Sequence, residues 1–224
     1  GYAWWVRRLA HACTVYDVVR IDHFRGFESY FAIPAKDTTA KNGVWRKGPG
    51  MALMRALHKG LPAARIIAED LGYLTPEVKA LLEASGYPGM KVLQFAFDRR
   101  EAGDYMPHGY IPNSVVYTGT HDNTTTAAWQ TEADPEDVAL ARAYMACGES
   151  EALVDAFIRT AFASVSDTAV IPMQDWLALP ASARMNTPSK AGGNWQWRMA
   201  PGAASPALAG RIRRLTELYE RLGR

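Results

Sequence analysis

Two periods alternate along this chain. Short apolar runs rich in β-branched residues fall at 16–22 (YDVVRID), 65–69 (RIIAE), 91–97 (KVLQFAF), 114–118 (SVVYT) and 168–173 (TAVIPM), the pattern of strands covered on both faces. Between them, apolar residues recur every third or fourth position at 1–16, 51–61, 76–85, 124–130, 135–147, 151–164 and 205–222, which predicts amphipathic helices. Thr75 before Pro76 gives one helix an N-cap and a first-turn proline, and Gly86 closes it. Residues 34–50 (PAKDTTAKNGVWRKGPG) are polar and rich in turn formers, and they predict a loop.

Strands separated by helices favour parallel pairing. No composition shift or internal repeat divides the sequence, so residues 1–224 read as one domain of α/β class. Five such units match the last five, about strands 4–8, of a TIM-type (β/α)8 barrel, incomplete as it stands. An open, doubly wound parallel sheet is the alternative, although no glycine-rich phosphate loop accompanies it. The opening GYAWWVRRLAHACTVY reads as a helix already under way, without an initiator Met or a signal-peptide pattern, so the chain looks cut from something longer. An unclosed barrel leaves strand edges bare, and association with a second copy or with a missing N-terminal half is expected.

Composition narrows the partners. Of 224 residues 48% are hydrophobic, and 25 basic against 23 acidic side chains leave a net charge of +2, scattered without long runs. Such a surface offers no field for nucleic acid or an anionic membrane, and no apolar run is long enough for a transmembrane helix. A neutral ligand and a soluble, cytoplasmic protein are the expectation. The two cysteines, Cys13 and Cys147, show neither a CxxC nor a Cys/His metal spacing and read as small buried hydrophobes.

Three acids end three of the predicted strands: Asp22, Glu69 and Asp122. Strand-end acids gathered from separate strands are what retaining glycoside cleavage needs: a nucleophile, a proton donor and a charge stabiliser facing one sugar. Arg20 and Asp22 share a strand face, so Arg20 can pair with Asp22 and keep it deprotonated. Glu69 follows the apolar run IIA, a setting suited to a proton donor, while Asp70 points the other way. Each acid also has a plainer reading: a structural ion pair for Asp22, a solvated loop carboxylate for Glu69, a helix cap for Asp122. His23 and His121 stand beside two of these acids, able to bond a sugar hydroxyl or merely to cap a loop.

In combination the segments RIDHFRGF, IIAEDLG, GYPGMKVLQFAFD, YTGTHDNTTT, IPMQDWL and ARMNTPSKAGGNWQWR carry a resemblance. The chain resembles the 4-alpha-glucanotransferases (amylomaltases, disproportionating enzymes) of glycoside hydrolase family 77, from about residue 1 to residue 198. The resemblance implies that Asp22 is the nucleophile, Glu69 the general acid/base and Asp122 the transition-state stabiliser. Arg20, His23 and His121 match polar groups around the cleaved sugar; Phe95, Asp98 and Asn186 match groups lining the substrate groove. It implies an α-1,4-glucan or maltooligosaccharide substrate and no metal or organic cofactor. A related α-glucan hydrolase, or a folded but inactive carbohydrate-binding or assembly piece, are the competing readings. The family usually has Gly after MNxP, where this chain has Ser189, and its chains are about twice this long. Of the seven Trp, Trp4 and Trp5 read as core or interface, whereas Trp45, Trp195 and Trp197 fall in loops where a sugar would meet them.

Overall fold

The computed structural model describes residues 1–100 and 105–223, and the chain divides into two compact units at residues 90 and 91. Within the first unit, helix α1 (Ala3–Ala12) leads to strand β1 (Val19–Ile21), and strand β4 (Ile66–Ala68) lies parallel to it. The register pairs Val19 with Ile66, Arg20 with Ile67 and Ile21 with Ala68. Both strands are shorter than the apolar runs that predict them, because hydrogen bonding continues only where both partners run extended. Helices α2 (Met51–Gly60) and α3 (Pro76–Ser85) present their apolar stripes to the same core. Leu9, Ile21, Phe24, Leu53, Met54, Leu57, Ile66, Ala68 and Leu81 are buried together there. Thr75 stands at the N-cap of α3, and Gly86 ends that helix with φ +69°, the left-handed conformation that glycine adopts without strain.

The predicted loop at 34–50 instead holds a strand. Strands β2 (Ser29–Ala32) and β3 (Val44–Lys47) form an antiparallel hairpin pairing Ser29 with Lys47 and Phe31 with Trp45. All four residues of β3 are exposed, so no apolar alternation marks them, and Trp45 sits on a strand rather than in a loop. Trp5 is half-buried against the first core, whereas Trp4 is exposed and meets Trp5 edge-on at 5.1 Å, so Trp4 is not a core residue.

Strand β5 (Gly89–Val92), whose second half opens the second unit, β6 (Ser114–Tyr117) and β7 (Thr168–Val170) form a three-stranded sheet in that order. β6 and β7 are parallel. The strand expected at 91–97 thus begins two residues earlier and turns at Leu93 into a short helix, α4 (Leu93–Ala96). An apolar run of this length does not by itself distinguish a buried strand from a buried helix. The strand expected at 168–173 stops at Val170, because Pro172 has no N–H for a ladder and caps helix α8 (Met173–Trp176). Helices α5 (Thr126–Glu132), α6 (Pro135–Tyr144) and α7 (Leu153–Ala163) enclose a core of Leu93, Phe97, Val116, Trp129 and Phe157. Helix α9 (Pro206–Leu218) lays Leu208, Ile212 and Leu215 against Ile158, Phe162 and Trp176. Cys13 and Cys147 are free and half-buried. Among the described residues, no helix is long and apolar enough to cross a membrane.

Candidate active site

In the first unit the parallel register of β1 and β4 brings two acids to neighbouring strand ends. Asp22 follows Ile21 directly, Glu69 follows Ala68, and Ile21 pairs with Ala68. The Glu69 N–H donates to Ile21 O at 2.8 Å, which closes the ladder at the point where both side chains leave it. Arg20 Nη2 donates to Asp22 Oδ1 at 2.8 Å, so the pairing expected of these residues forms. Asp22 itself is exposed and open to a ligand.

His23 does something its sequence position does not reveal. Its backbone is left-handed, φ 50° and ψ 52°, an uncommon conformation for a residue with a Cβ. In that conformation its N–H donates to Glu69 Oε2 at 2.6 Å, and the Leu71 N–H donates to Oε1 at 2.9 Å. Two backbone donors, one per oxygen, fix the Glu69 carboxylate beside the residue that follows Asp22. Strain of this kind persists where the surrounding structure enforces it, commonly at functional positions. The neighbouring Asp70 is buried and accepts the Met90 N–H at 2.6 Å, so it faces away from Glu69 as its strand position predicts. Gly89 makes that possible: a Cβ there would sit 2.6 Å from Asp70 Oδ2.

In the second unit, residues 119–125 join β6 to α5 and carry His121 and Asp122. Two sets of side chains hold this loop. Asn186 Nδ2 donates to Asp122 Oδ1 at 2.5 Å, and Arg184 Nη2 donates to the Asp122 carbonyl at 2.5 Å. His121 Nε2 lies 3.4 Å from Asp122 Oδ2, and its ring packs on the exposed indole of Trp195 with centroids 5.0 Å apart. The second set centres on Asp175 of α8, 2% exposed. It accepts the Thr126 N–H and Oγ1–H at 2.8 Å each and the Thr118 Oγ1–H at 2.5 Å. One buried carboxylate therefore ties together both ends of the loop. Burial pushes the Asp175 carboxyl above the usual carboxylate range, and its three hydrogen bonds work against that rise.

The helix-cap reading of Asp122 is excluded, because Thr125 caps α5, its Oγ1 accepting the Ala128 N–H at 3.2 Å. A cleft of about 270 Å³ opens beside His121, lined also by Gly119, Gln174, Asp175, Arg184 and Trp195. Gly119 stands at its edge, where a Cβ would lie 2.7 Å from Gln94 Nε2 and displace that side chain. Phe95 and Asp98 are not part of this lining. Phe95 packs edge-on to Tyr105 at 5.5 Å, and Asp98 is paired with Arg100 at 2.7 and 2.8 Å, which lowers its pKa. Trp197 is half-buried. The sequence pattern assigns no part to Arg184, Asp175 or Gln94. All three lie inside segments that carry the family resemblance, but single-residue chemistry gives them no signal.

Ser189, at the position where the resembled family has glycine, has φ 66°. A glycine takes that conformation freely, whereas a serine bears the steric cost of its Cβ.

A family model described as 4-alpha-glucanotransferase, that of glycoside hydrolase family 77, matches residues 1–204. The 4-alpha-glucanotransferase of Streptococcus pneumoniae serotype 4 is 48% identical over 223 residues, covering 99% of this chain and 44% of that protein. That of Thermus thermophilus is 45% identical over 229 residues, covering 99% and 46%. A solved amylomaltase from Streptococcus agalactiae, in complex with acarbose, matches with a TM-score of 0.91 at 37% identity, over 97% of this chain and 44% of that one. The amylomaltase of Corynebacterium glutamicum, at 19% identity and a TM-score of 0.73, shares the fold. The chain spans a little under half the length of these curated relatives. With a family model covering most of its residues, the chain belongs to the 4-alpha-glucanotransferase family, glycoside hydrolase family 77.

Proposed function

We propose that this chain carries the catalytic carboxylates of a 4-alpha-glucanotransferase, a retaining enzyme that moves α-1,4-glucan segments between maltodextrins. In this reading its strands β1, β4, β5, β6 and β7 are the last five of a (β/α)8 barrel. The observation that carries the reading is the pair of acids at paired strand ends: Asp22 held by Arg20, and Glu69 held by the His23 and Leu71 N–H groups. Family membership supports the assignment of roles.

Asp22 attacks the anomeric carbon as the bond to the leaving O4 breaks, and Glu69 gives that oxygen its proton, leaving a glycosyl ester on Asp22. Glu69, now a carboxylate, takes the proton from the 4-hydroxyl of a second glucan. That oxygen attacks the same carbon, the ester breaks, and a new α-1,4 bond forms with retention. Asp122 stabilises the transition state through the sugar's hydroxyls, and Asn186 and Arg184 keep it in place. His23 and His121 contribute polar contacts to the sugar. The role of Phe95 and Asp98 is to line the glucan's path farther along. The chemistry calls for no metal or organic cofactor.

Incubating the purified chain with maltotriose tests this. Glucose together with longer maltodextrins is the expected product set, lost in Asp22→Asn. A folded chain that binds maltodextrin yet forms no transfer products would favour the second reading, an inert glucan-binding part, which the coverage of under half of each relative keeps in play. Glucose and maltose without longer products would indicate a hydrolase.

A further inference from the structure

The first unit has a groove that the catalytic roles leave unused. It lies between the β2–β3 hairpin and the loop between β4 and α3, encloses about 620 Å³, and is lined by Arg25, Glu28, Trp45, Lys47, Tyr73 and Glu77 among others. That volume falls within the range of small-molecule sites. Two large aromatic side chains stand in it, Trp45 57% exposed and Tyr73 77% exposed. Such exposure is unusual for residues that ordinarily bury their rings.

Arg25 joins the two walls. Its guanidinium lies 4.5 Å from the Trp45 ring centroid and 5.9 Å from that of Tyr73, and its Nη1 donates to the Tyr73 carbonyl at 2.5 Å. Cation–π contact and hydrogen bond together hold two exposed rings in place before any ligand arrives. Arg25 itself lines the groove, and its Nε is buried without an acceptor, so the guanidinium is held by the Tyr73 carbonyl and the two rings. Phe31 supports Trp45 with ring centroids 5.3 Å apart.

The rim decides what fits. Arg25, Arg46 and Lys47 carry positive charge and Glu28 and Glu77 negative charge, with Lys47 and Glu28 already paired. A nearly balanced rim gives an anionic ligand little advantage. Covering the groove with apolar protein surface would desolvate five charged groups, which is costly. A neutral polyol meets neither obstacle, since its hydroxyls bond to charged groups of either sign while its C–H faces lie on aromatic rings.

We propose that this groove is a further glucan-binding subsite, in which Trp45 and Tyr73 stack on glucosyl units and Arg25 preorganises them; the choice of α-glucan rests on the function proposed above. The subsite is reached from both catalytic loops, because Arg25 follows Asp22 by three residues and Tyr73 follows Glu69 by four. It holds glucan without touching the bond that is cleaved.

The test is retardation of the full chain in native gels cast with amylose, with dextran gels as control. The wild-type chain is expected to be retarded by amylose and not by dextran. Affinity should fall about tenfold in Trp45→Ala and several-fold in Tyr73→Ala, with Trp45→Phe recovering most of the loss. Tyr73 is so exposed that its replacement leaves folding intact, and circular dichroism checks the Trp45 variants. An unretarded wild-type chain, equal retardation by dextran, or variants that bind amylose as the wild type does would each overturn the subsite. The maltotriose assay separates this from the function itself. Transfer that depends on Asp22 without loss of amylose binding in Trp45→Ala and Tyr73→Ala removes the subsite alone; Trp45-dependent binding without transfer removes the proposed activity alone.

Discussion

The two units position their acids by different means. In the first, Asp22 and Glu69 take their places from strand register: a backbone ladder ends at Ile21 and Ala68, and backbone N–H groups hold Glu69. In the second, Asp122 sits mid-loop and depends on side chains: Asn186 and Arg184 bond Asp122 itself, and the buried Asp175 bonds the residues flanking the loop. Secondary structure orients a side chain at no extra cost, whereas a loop needs braces of its own. The sensitivity to mutation should therefore differ, concentrated on the acids themselves in the first unit and spread into the supporting shell in the second.

The largest effect that sharpens this contrast is chemical. Glu69→Gln removes the proposed proton donor and keeps an oxygen for only one of the His23 and Leu71 N–H groups, so transfer from maltotriose should fall about a thousandfold or more while stability drops by no more than about 1–2 kcal/mol for the hydrogen bond lost. Next comes the brace. Asp175→Ala strips the Thr126 N–H and two threonine hydroxyls of their acceptor inside the core, a loss of about 2–4 kcal/mol in urea unfolding. A cost no greater than that of a surface change would remove the contrast between the units.

Asp175→Asn gives the same point a pH signature. The folded-state pKa of Asp175 is raised by burial, so the protonated carboxyl favours folding. Its contribution is fully present below the ordinary carboxylate range and is lost as pH rises through the raised value. The stability of the wild type relative to Asp175→Asn should therefore decline across that interval, and a difference that grows with pH would contradict it. In the first unit, Gly89→Ala forces a methyl against the fixed Asp70 carboxylate, and about 1–3 kcal/mol of destabilisation should appear in the same unfolding assay. The smallest effect has the opposite sign. Ser189→Gly releases the left-handed strain and should stabilise by about 1 kcal/mol; no gain would mean that the Ser189 conformation carries little strain.

What could be read from the sequence follows the same division. Strands β1, β4 and β6 are legible because each is a short apolar run ending in a polar loop; Asp22 and Glu69 follow β1 and β4 directly, whereas Asp122 lies in the loop past Tyr117 rather than at the end of β6. The β2–β3 hairpin was not, since VWRK is exposed throughout and SYFA is only half-covered, leaving no alternation to detect. The run KVLQFAF was apolar enough for a strand, but Gln94 turns inward to bond Thr124 O at 3.0 Å, and the chain bends into α4 there. At the site, the Arg20–Asp22 pairing followed from strand periodicity. The hold of His23 on Glu69 did not, because it is made by a backbone N–H in an uncommon conformation. Asp175 was invisible for a related reason: its partners lie 49 and 57 residues away, and only the fold brings them together.

The central claim is that Asp22 forms a covalent bond to the sugar while Glu69 moves the proton. Trapping tests it most directly: the Glu69→Gln variant is treated with an α-maltosyl fluoride, whose leaving group needs no proton, then digested and analysed by mass spectrometry. The account predicts a maltosyl ester on the peptide containing Asp22, absent when Asp22→Asn is added. An adduct on any other carboxylate, or none from a folded chain that consumes the fluoride, would contradict it.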